Sequence, residues 1–425
     1  MTTLRTSDEA ESPYAWTRLW VALALVTIGG SGMYSMAVVL PPLQAEFGIA
    51  RADASLPFTL TMIGFGLGSV LMGRLSDRFG VIVPVRVGSV SLALGFVTAA
   101  LSQNLLQFTA VHGLLIGVGT SGTFVPLVAD ITLWFTRRRG IAVAIVMSGN
   151  YLAGTVWPPL MQHFIDAAGW RATYMGTGLI CLFAIPLFAL ALRRKPPAIA
   201  GLAPAGAGAR GASSNPDQPL GFSPNQLQGL LCVSGVACCV AMSMPQVHMV
   251  AYCADLGFPA ARGAEMLALM MGFGILSRLA SGWIADRIGG LRTLLLGAVL
   301  QATALALFLP FDGLVALYVV SALFGLFQGG IVPSYPLIVR EYFSPREAGA
   351  RTGTVIMATL VGMALGGWMP GWIFDMTGSY RAAFVNGIAW SLVTTGIALF
   401  LLFRARPGWG LPGTPGVRGE SRHPS

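Results

Sequence analysis

Residues Gly73 to Gly80 read G-R-L-S-D-R-F-G, and Gly282 to Gly289 read G-W-I-A-D-R-I-G. The same G-x-x-x-D-R-x-G frame therefore occurs twice, 209 positions apart (282 − 73). Each copy lies between two long apolar runs. A polar Asp-Arg hinge repeated at half the chain length, inside a very apolar sequence, predicts an internally duplicated membrane bundle.

Composition agrees with that reading. Of 425 residues, 55% are hydrophobic and 10% charged, and the mean hydropathy is +0.71. A soluble domain carries about 25% charged residues. This chain lacks the charge to coat a water-facing surface of its size, so much of that surface must face lipid. Runs long enough to span a bilayer fall near 17–40, 56–73, 81–102, 105–130, 140–162, 172–192, 227–252, 264–285, 291–310, 313–338, 352–374 and 382–403. A spanning helix needs about 20 apolar residues. The fold class expected is an all-α membrane protein of twelve transmembrane helices, in two six-helix halves. The 54 Gly and 26 Pro suit close helix packing and local bends in lipid. Asp8, Glu9 and Glu11 precede the first run where a secretory signal would be basic. The first run is therefore expected to be a retained span.

The net charge of +9 could point to nucleic acid, but its distribution points elsewhere. With the N-terminus inside, 21 of the 26 Lys and Arg fall in loops and tails on one side. Four, Arg51, Arg171, Arg262 and Arg381, fall on the other. The remaining one, Arg278, falls inside an apolar run. This split predicts a multi-pass protein of the cell (inner) membrane with both termini cytoplasmic, and no nucleic-acid partner.

Other pairs keep the same spacing. Trp170-Arg171-Ala172 matches Tyr380-Arg381-Ala382, Val125-Pro126 matches Val332-Pro333, and Phe135 with Arg138 matches Phe343 with Arg346. Both halves begin and end on one side of the membrane, so they are parallel repeats. The expected organisation is a tail (1–16), a six-helix bundle (17–195), a linker (196–225), a second bundle (226–403) and a tail (404–425). The linker is rich in Pro, Gly, Ala and Ser, which reads as flexible cytoplasmic chain.

Twelve spans in two parallel halves, a central linker and the hinge after spans 2 and 8 resemble the major facilitator superfamily. The stretch W-F-T-R-R-R-G-I-A-V-A-I-V-M-S-G (Trp134 to Gly149) is similar to the span 4–5 signature of the monocarboxylate porters and their oxalate/formate-type bacterial relatives. So is the single span-8 arginine, Arg278, followed by its hinge. The resemblance implies transport, with Arg278 pairing with a substrate carboxylate. The chain departs from its relatives in places. Val81 and Ile82 follow the first hinge where basic residues are usual, span 11 (352–374) holds no Lys, and Gly274 stands where animal members have Asp. The last two departures argue against a dicarboxylate substrate and against a simple carboxylate proton carrier.

The residues themselves lead to the same arginine. A guanidinium at mid-depth costs at least ~2.5–3.5 kcal/mol and cannot deprotonate. Asp286, eight residues on, is already at the span end, and Asp130 and Asp255 also lie near span ends. An unpaired buried cation suited to bidentate carboxylate capture is the expectation, set against a structural arginine held by carbonyls. His112 and His248 are the histidines well inside spans and titrate near working pH; hydrogen-bonded packing is the competing reading for both. Tyr34, Gln246, Gln328 and Tyr335 on cavity-lining spans, with Asn150 and Tyr151 on span 5, offer further hydrogen-bonding groups. Asp77, Arg78, Asp286 and Arg287, with Arg138 and Arg346, are read as a conformational gate at the cytoplasmic helix ends.

The five cysteines lie in or beside apolar runs with no metal-ligand spacing. No nucleophile triad, paired catalytic carboxylates or phosphate loop is present, so neither enzyme chemistry nor a cofactor is expected. The function expected is secondary transport of a small organic anion, a monocarboxylate, by alternating access. It would run as proton symport or anion exchange in a functional monomer. Efflux of amphipathic compounds by the same fold is the alternative. A membrane sensor would need an appended signalling domain, and the short polar tail after 404 offers none.

Overall fold

The structure is a computed structural model that describes residues 11–135, 138–194, 219–344 and 347–405. Among these, eleven helices are long and apolar enough to cross a membrane. The 54-residue one, Arg139–Leu192, is two spans. Its Gly169 has φ 81° and ψ 161°, which no helix tolerates, and the chain turns there. The spans are α1 (Pro13–Phe47), α2 (Arg51–Phe79), α3 (Ile82–Ala100), α4 (Leu105–Ile131), α5 (139–168) and α6 (170–189) in the first half. The second half holds α7 (Pro224–Asp255), α8 (Ala260–Ile288), α9 (Gly290–Leu307), α10 (Leu314–Tyr342), α11 (Ala348–Thr377) and α12 (Tyr380–Arg404).

Several helices outrun their apolar stretches. α1 begins at Pro13 under an N-cap from Ser12, whose hydroxyl accepts from Ala15 N–H. Both hinge motifs are helix to their penultimate residue, and only the closing glycine lies outside. That glycine is Gly80 with φ 80° in one half and Gly289 with φ 84° in the other, each N–H bonding back to the carbonyl four residues earlier. A side chain would be strained at this φ. The other turn glycines repeat in the same way. Gly48 (φ 61°) pairs with Gly257 (φ 83°), and Gly169 (φ 81°) with Gly378 (φ 66°), each pair 209 positions apart (257 − 48 and 378 − 169). The duplication is thus written in the backbone at three of its turns. α4 and α10 also break at matching points, at residues 123–124 and 329–330, just before the Val-Pro pairs.

The halves meet along α2 against α11, α5 against α8, and α1 against α7. Glycines allow the approach: a Cβ at Gly367 would lie 2.3 Å from the Phe58 ring, and one at Gly371 would lie 2.9 Å from the Arg51 carbonyl. Large apolar side chains such as Leu67, Leu114, Phe183 and Val315 are exposed, as expected of a lipid-facing surface. Most of the interbundle linker, residues 1–10 and 406–425 of the outer tails, and Arg346 lie outside the described residues.

Candidate functional site

Arg18 and Arg278 both lie between helices, and they differ in what surrounds them. Arg18 on α1 is 1% exposed. Its Nε and Nη2 donate to both oxygens of Asp130 on α4, at 2.7 and 2.8 Å, and its Nη1 donates to the carbonyls of Leu192 and Arg194 at 3.0 and 3.2 Å. The Trp134 ring covers it at 4.7 Å. Every face of this guanidinium is used, so it is a structural tie between α1, α4 and the end of α6. In the sequence Asp130 stands near a span end and nothing joins it to Arg18, 112 positions away.

Arg278 on α8 is half-buried. Its Nη1 makes one long bond, 3.4 Å, to the Met147 carbonyl on α5. Its Nε is buried with no acceptor, and among the described residues no carboxylate pairs with it. Its Cζ stands 4.6 Å over the ring of Tyr151, also on α5. Tyr34 of α1 is within electrostatic reach of both Tyr151 and Arg278, and its ring packs on Gly154, where a Cβ would lie 2.7 Å from Cε1. The result is a cation set over the Tyr151 ring, at the junction of α1, α5 and α8, with donors to spare. Such a group can take a carboxylate by charge-assisted hydrogen bonds.

The remaining candidates divide. Gln246 on α7 donates through Nε2 to Oε1 of Gln328 on α10 at 3.1 Å, and the Nε2 of Gln328 is buried without an acceptor. Gly329, next to Gln328, packs on the Gly274 carbonyl one turn before Arg278, so the amides border the same region. Asn150 is half-buried on α5 beside Tyr151. Tyr335 is buried inside the second half, bonded to the Ser234 hydroxyl at 3.0 Å and the Cys238 sulfur at 3.4 Å. His112 is fully buried within the first half, in a π-helical turn of α4. The Thr61 hydroxyl already gives its proton to the Pro57 carbonyl at 2.7 Å, so His112 Nδ1 donates to Thr61 and Nε2 accepts from Tyr174 OH, both at 3.2 Å. His248 Nε2 donates to the Gly367 carbonyl and Nδ1 accepts from Tyr380 OH, both at 2.8 Å. These three residues are fully engaged by their own halves.

The described gate residues lie at the surface. Asp77, Arg78, Asp286, Arg287 and Arg138 are exposed. Arg78 and Arg287 lie over the neighbouring rings of Phe79 and Trp283 at 5.2 and 3.5 Å, and no ion pair joins the two hinges among the described residues. The halves are latched at the opposite end, by residues the sequence did not single out. Arg51 at the start of α2 forms an ion pair with Asp255 at the end of α7 and lies against Tyr380 of α12. Asp375 of α11 accepts from the backbone N–H of Arg51 and Ala52 at 2.9 and 2.7 Å. The N-cap of α2 is Ala50, which offers no side-chain acceptor, so the other half supplies the cap. Below this latch, Thr59 donates to the Ala364 carbonyl at 2.9 Å. Between Arg278 and the hinge end, no hydrogen bond or ion pair crosses between the halves among the described residues.

Among the described residues no group of His, Cys, Asp or Glu could hold a metal ion. Two pseudo-symmetric bundles of membrane-length helices, latched at one end and enclosing a half-buried cation, have the architecture of a membrane transporter. The sequence comparison is specific about the family: residues 20–316 and 231–416 match the Major Facilitator Superfamily, and the chain belongs to it. Relatives include monocarboxylate transporter 13 of the rat, 28% identical over 82% of this chain and 78% of that one. Human monocarboxylate transporter 11 is 26% identical over 93% and 84%, and the MFS-type transporter opdF of Penicillium oxalicum is 26% identical over 94% and 93%. Among solved structures, the nucleoside transporter NupG superposes with a TM-score of 0.72 at 13% identity, over 92% of this chain and 100% of that one. A bacterial homologue of the human lysosomal transporter Spinster superposes with a TM-score of 0.68 at 14% identity, over 93% and 97%. At these identities the structures support the fold alone.

Proposed function

We propose that the protein is a secondary transporter of a small organic anion, a monocarboxylate, that works by alternating access. The observation that carries this reading is Arg278. It is a permanently charged group between the halves, with an unused buried Nε, no acid paired with it among the described residues, and the Tyr151 ring beneath it. The cost of keeping a cation there is offset when an anion arrives. The curated relatives named monocarboxylate transporters support the same substrate class. One cation and two neutral amides suit a single carboxylate better than two. Exchange of one anion for another needs no proton carrier at this site; symport would need one elsewhere.

The charge asymmetry of the loops supports a topology with the hinge end and both termini in the cytoplasm. In that topology the contacts of Arg51 with Asp255 and Asp375 hold the outer side closed, which supports reading this arrangement as the outward-closed state. Pairing of Asp77, Arg78, Asp286 and Arg287 with their neighbours belongs to the opposite state. The protein acts as a monomer in the cell membrane.

The experiment is uptake of labelled monocarboxylates into proteoliposomes loaded with unlabelled anion. Wild type should exchange label, and Arg278→Ala and Arg278→Lys should each lose most of it while inserting normally. Normal exchange by both variants would refute the reading, and efflux of bulky amphipaths indifferent to Arg278 would replace it.

A further inference from the structure

Among the described residues Arg278 has no carboxylate partner, whereas the more deeply buried Arg18 is paired with Asp130. What holds it instead is on α5. Met147, Tyr151 and Gly154 follow one another at helical spacing along a single face of α5, and all three meet α8 or its neighbour. The Met147 carbonyl takes one long bond, and the Tyr151 ring lies beneath the guanidinium. The ring sits where it does because of Gly274, one turn before Arg278 on α8. A Cβ at Gly274 would lie 2.5 Å from Cε1 and 2.6 Å from Cδ1 of Tyr151. Any side chain there would push the ring out from under Arg278. Tyr151 is 6% exposed and Gly274 is buried, so there is no open space for it to move into.

We propose that Tyr151, seated on the bare backbone of Gly274, is the positioning residue of the anion site, holding the Arg278 side chain in place of an acid. The inference rests on the reading of Arg278 as anion anchor. An aromatic face differs from a carboxylate in one decisive respect. It attracts the cation through its quadrupole without neutralising it and without consuming the in-plane N–H donors. The guanidinium stays charged, oriented and free at its edge, which is where a carboxylate binds. An aspartate in the same role would occupy those donors and would have to be protonated or displaced before an anion could enter. The Tyr151–Gly274 pair thus yields a site of fixed single positive charge, selective for a monoanion.

The test is direct binding to purified full-length protein, using whichever of acetate, lactate and benzoate gives the largest thermal shift with wild type. Tyr151→Phe, which keeps the ring, should hold the Kd within about twofold. Tyr151→Leu and Gly274→Ala should each raise it roughly tenfold, the size of a well-desolvated cation–π contact. The double variant Gly274→Ala with Tyr151→Leu should be no worse than either alone, because both remove one interaction. The Tm of unliganded protein serves as the control for packing: a structural role for Tyr151 would lower Tm and spare Kd. Loss of binding in Arg278→Ala with unchanged Kd in Tyr151→Leu and Gly274→Ala would overturn this inference alone. Unchanged binding in Arg278→Ala would overturn the anchor itself.

Discussion

Glu46 and Asp255 occupy twin positions of the two halves, 209 residues apart (255 − 46), yet they bind opposite ways. Glu46 accepts from Trp170 Nε1 at 2.5 Å and from Arg171 Nη2 at 2.6 Å, all within its own half. Asp255 reaches across to Arg51 of the other half. Asp166 and Asp375, also twins by the same offset, repeat the contrast. Asp166 accepts from Gln162 on its own helix, and Asp375 caps α2 across the boundary. The asymmetry arises because Arg51 has Ala260 as its twin, so a symmetric scaffold gains a latch through one residue.

Removing that latch should shift the balance between the two openings. The side chains of Arg51 and Asp255 are 10% and 32% exposed, so solvent weakens the pair but does not abolish it. Arg51→Ala should cost the closed end about 1–2 kcal/mol, roughly a 5- to 30-fold shift. The reporter is thiol labelling of a Phe58→Cys variant in a cysteine-free background, because Phe58 packs against Gly367 just below the latch. Labelling should rise when Arg51→Ala is added and stay unchanged with Glu46→Gln, whose bonds lie within one half.

Arg18 and Arg278 should separate cleanly in stability measurements. Asp130→Asn strands the buried Arg18, and breaking such a pair costs about 3–5 kcal/mol. The Tm in detergent should fall by several degrees. Arg278→Ala removes a cation with no ion-pair partner, so the Tm should hold steady or rise. A drop as large as that of Asp130→Asn would make Arg278 a structural residue.

The hinge glycines give a matched comparison. Gly289 sits at φ 84°, whereas Gly282, seven residues earlier in the same motif, is helical and has open space where a Cβ would be. Gly289→Ala should destabilise by about 1 kcal/mol or more. Gly282→Ala should be neutral or stabilising, because alanine is the better helix former. Gly80→Ala and Gly73→Ala should repeat the contrast in the first half.

Much of this architecture is legible in the residues. The twelve apolar runs, the hinge pair and the offset of 209 lead to two bundles because lipid leaves few alternatives for a polar backbone. Arg278 stands out for the same reason. What the sequence hides is which polar groups find each other. Arg18 and Asp130 lie 112 positions apart, and Arg51 and Asp255 lie 204 apart. Each looks like an ordinary charge at a span end until helix packing brings the partners together. The duplication carries a usable signal: aligning Glu46 with Asp255 and Asp166 with Asp375 marks both acids as corner residues of their bundles. The roles of His112 and Tyr335 were hidden in the opposite sense. Their polar atoms looked available to a cavity, and close packing engages them inside a single half.

The most direct test of the central claim is a thermal-shift titration of purified protein with a panel of small carboxylates, wild type against Arg278→Ala. A ligand that binds only the folded state stabilises it in proportion to its saturation. The account predicts a concentration-dependent rise in Tm with one or more monocarboxylates, absent in Arg278→Ala. An equal rise in both proteins, or stabilisation of wild type by dicarboxylates and uncharged amphipaths alone, would contradict it.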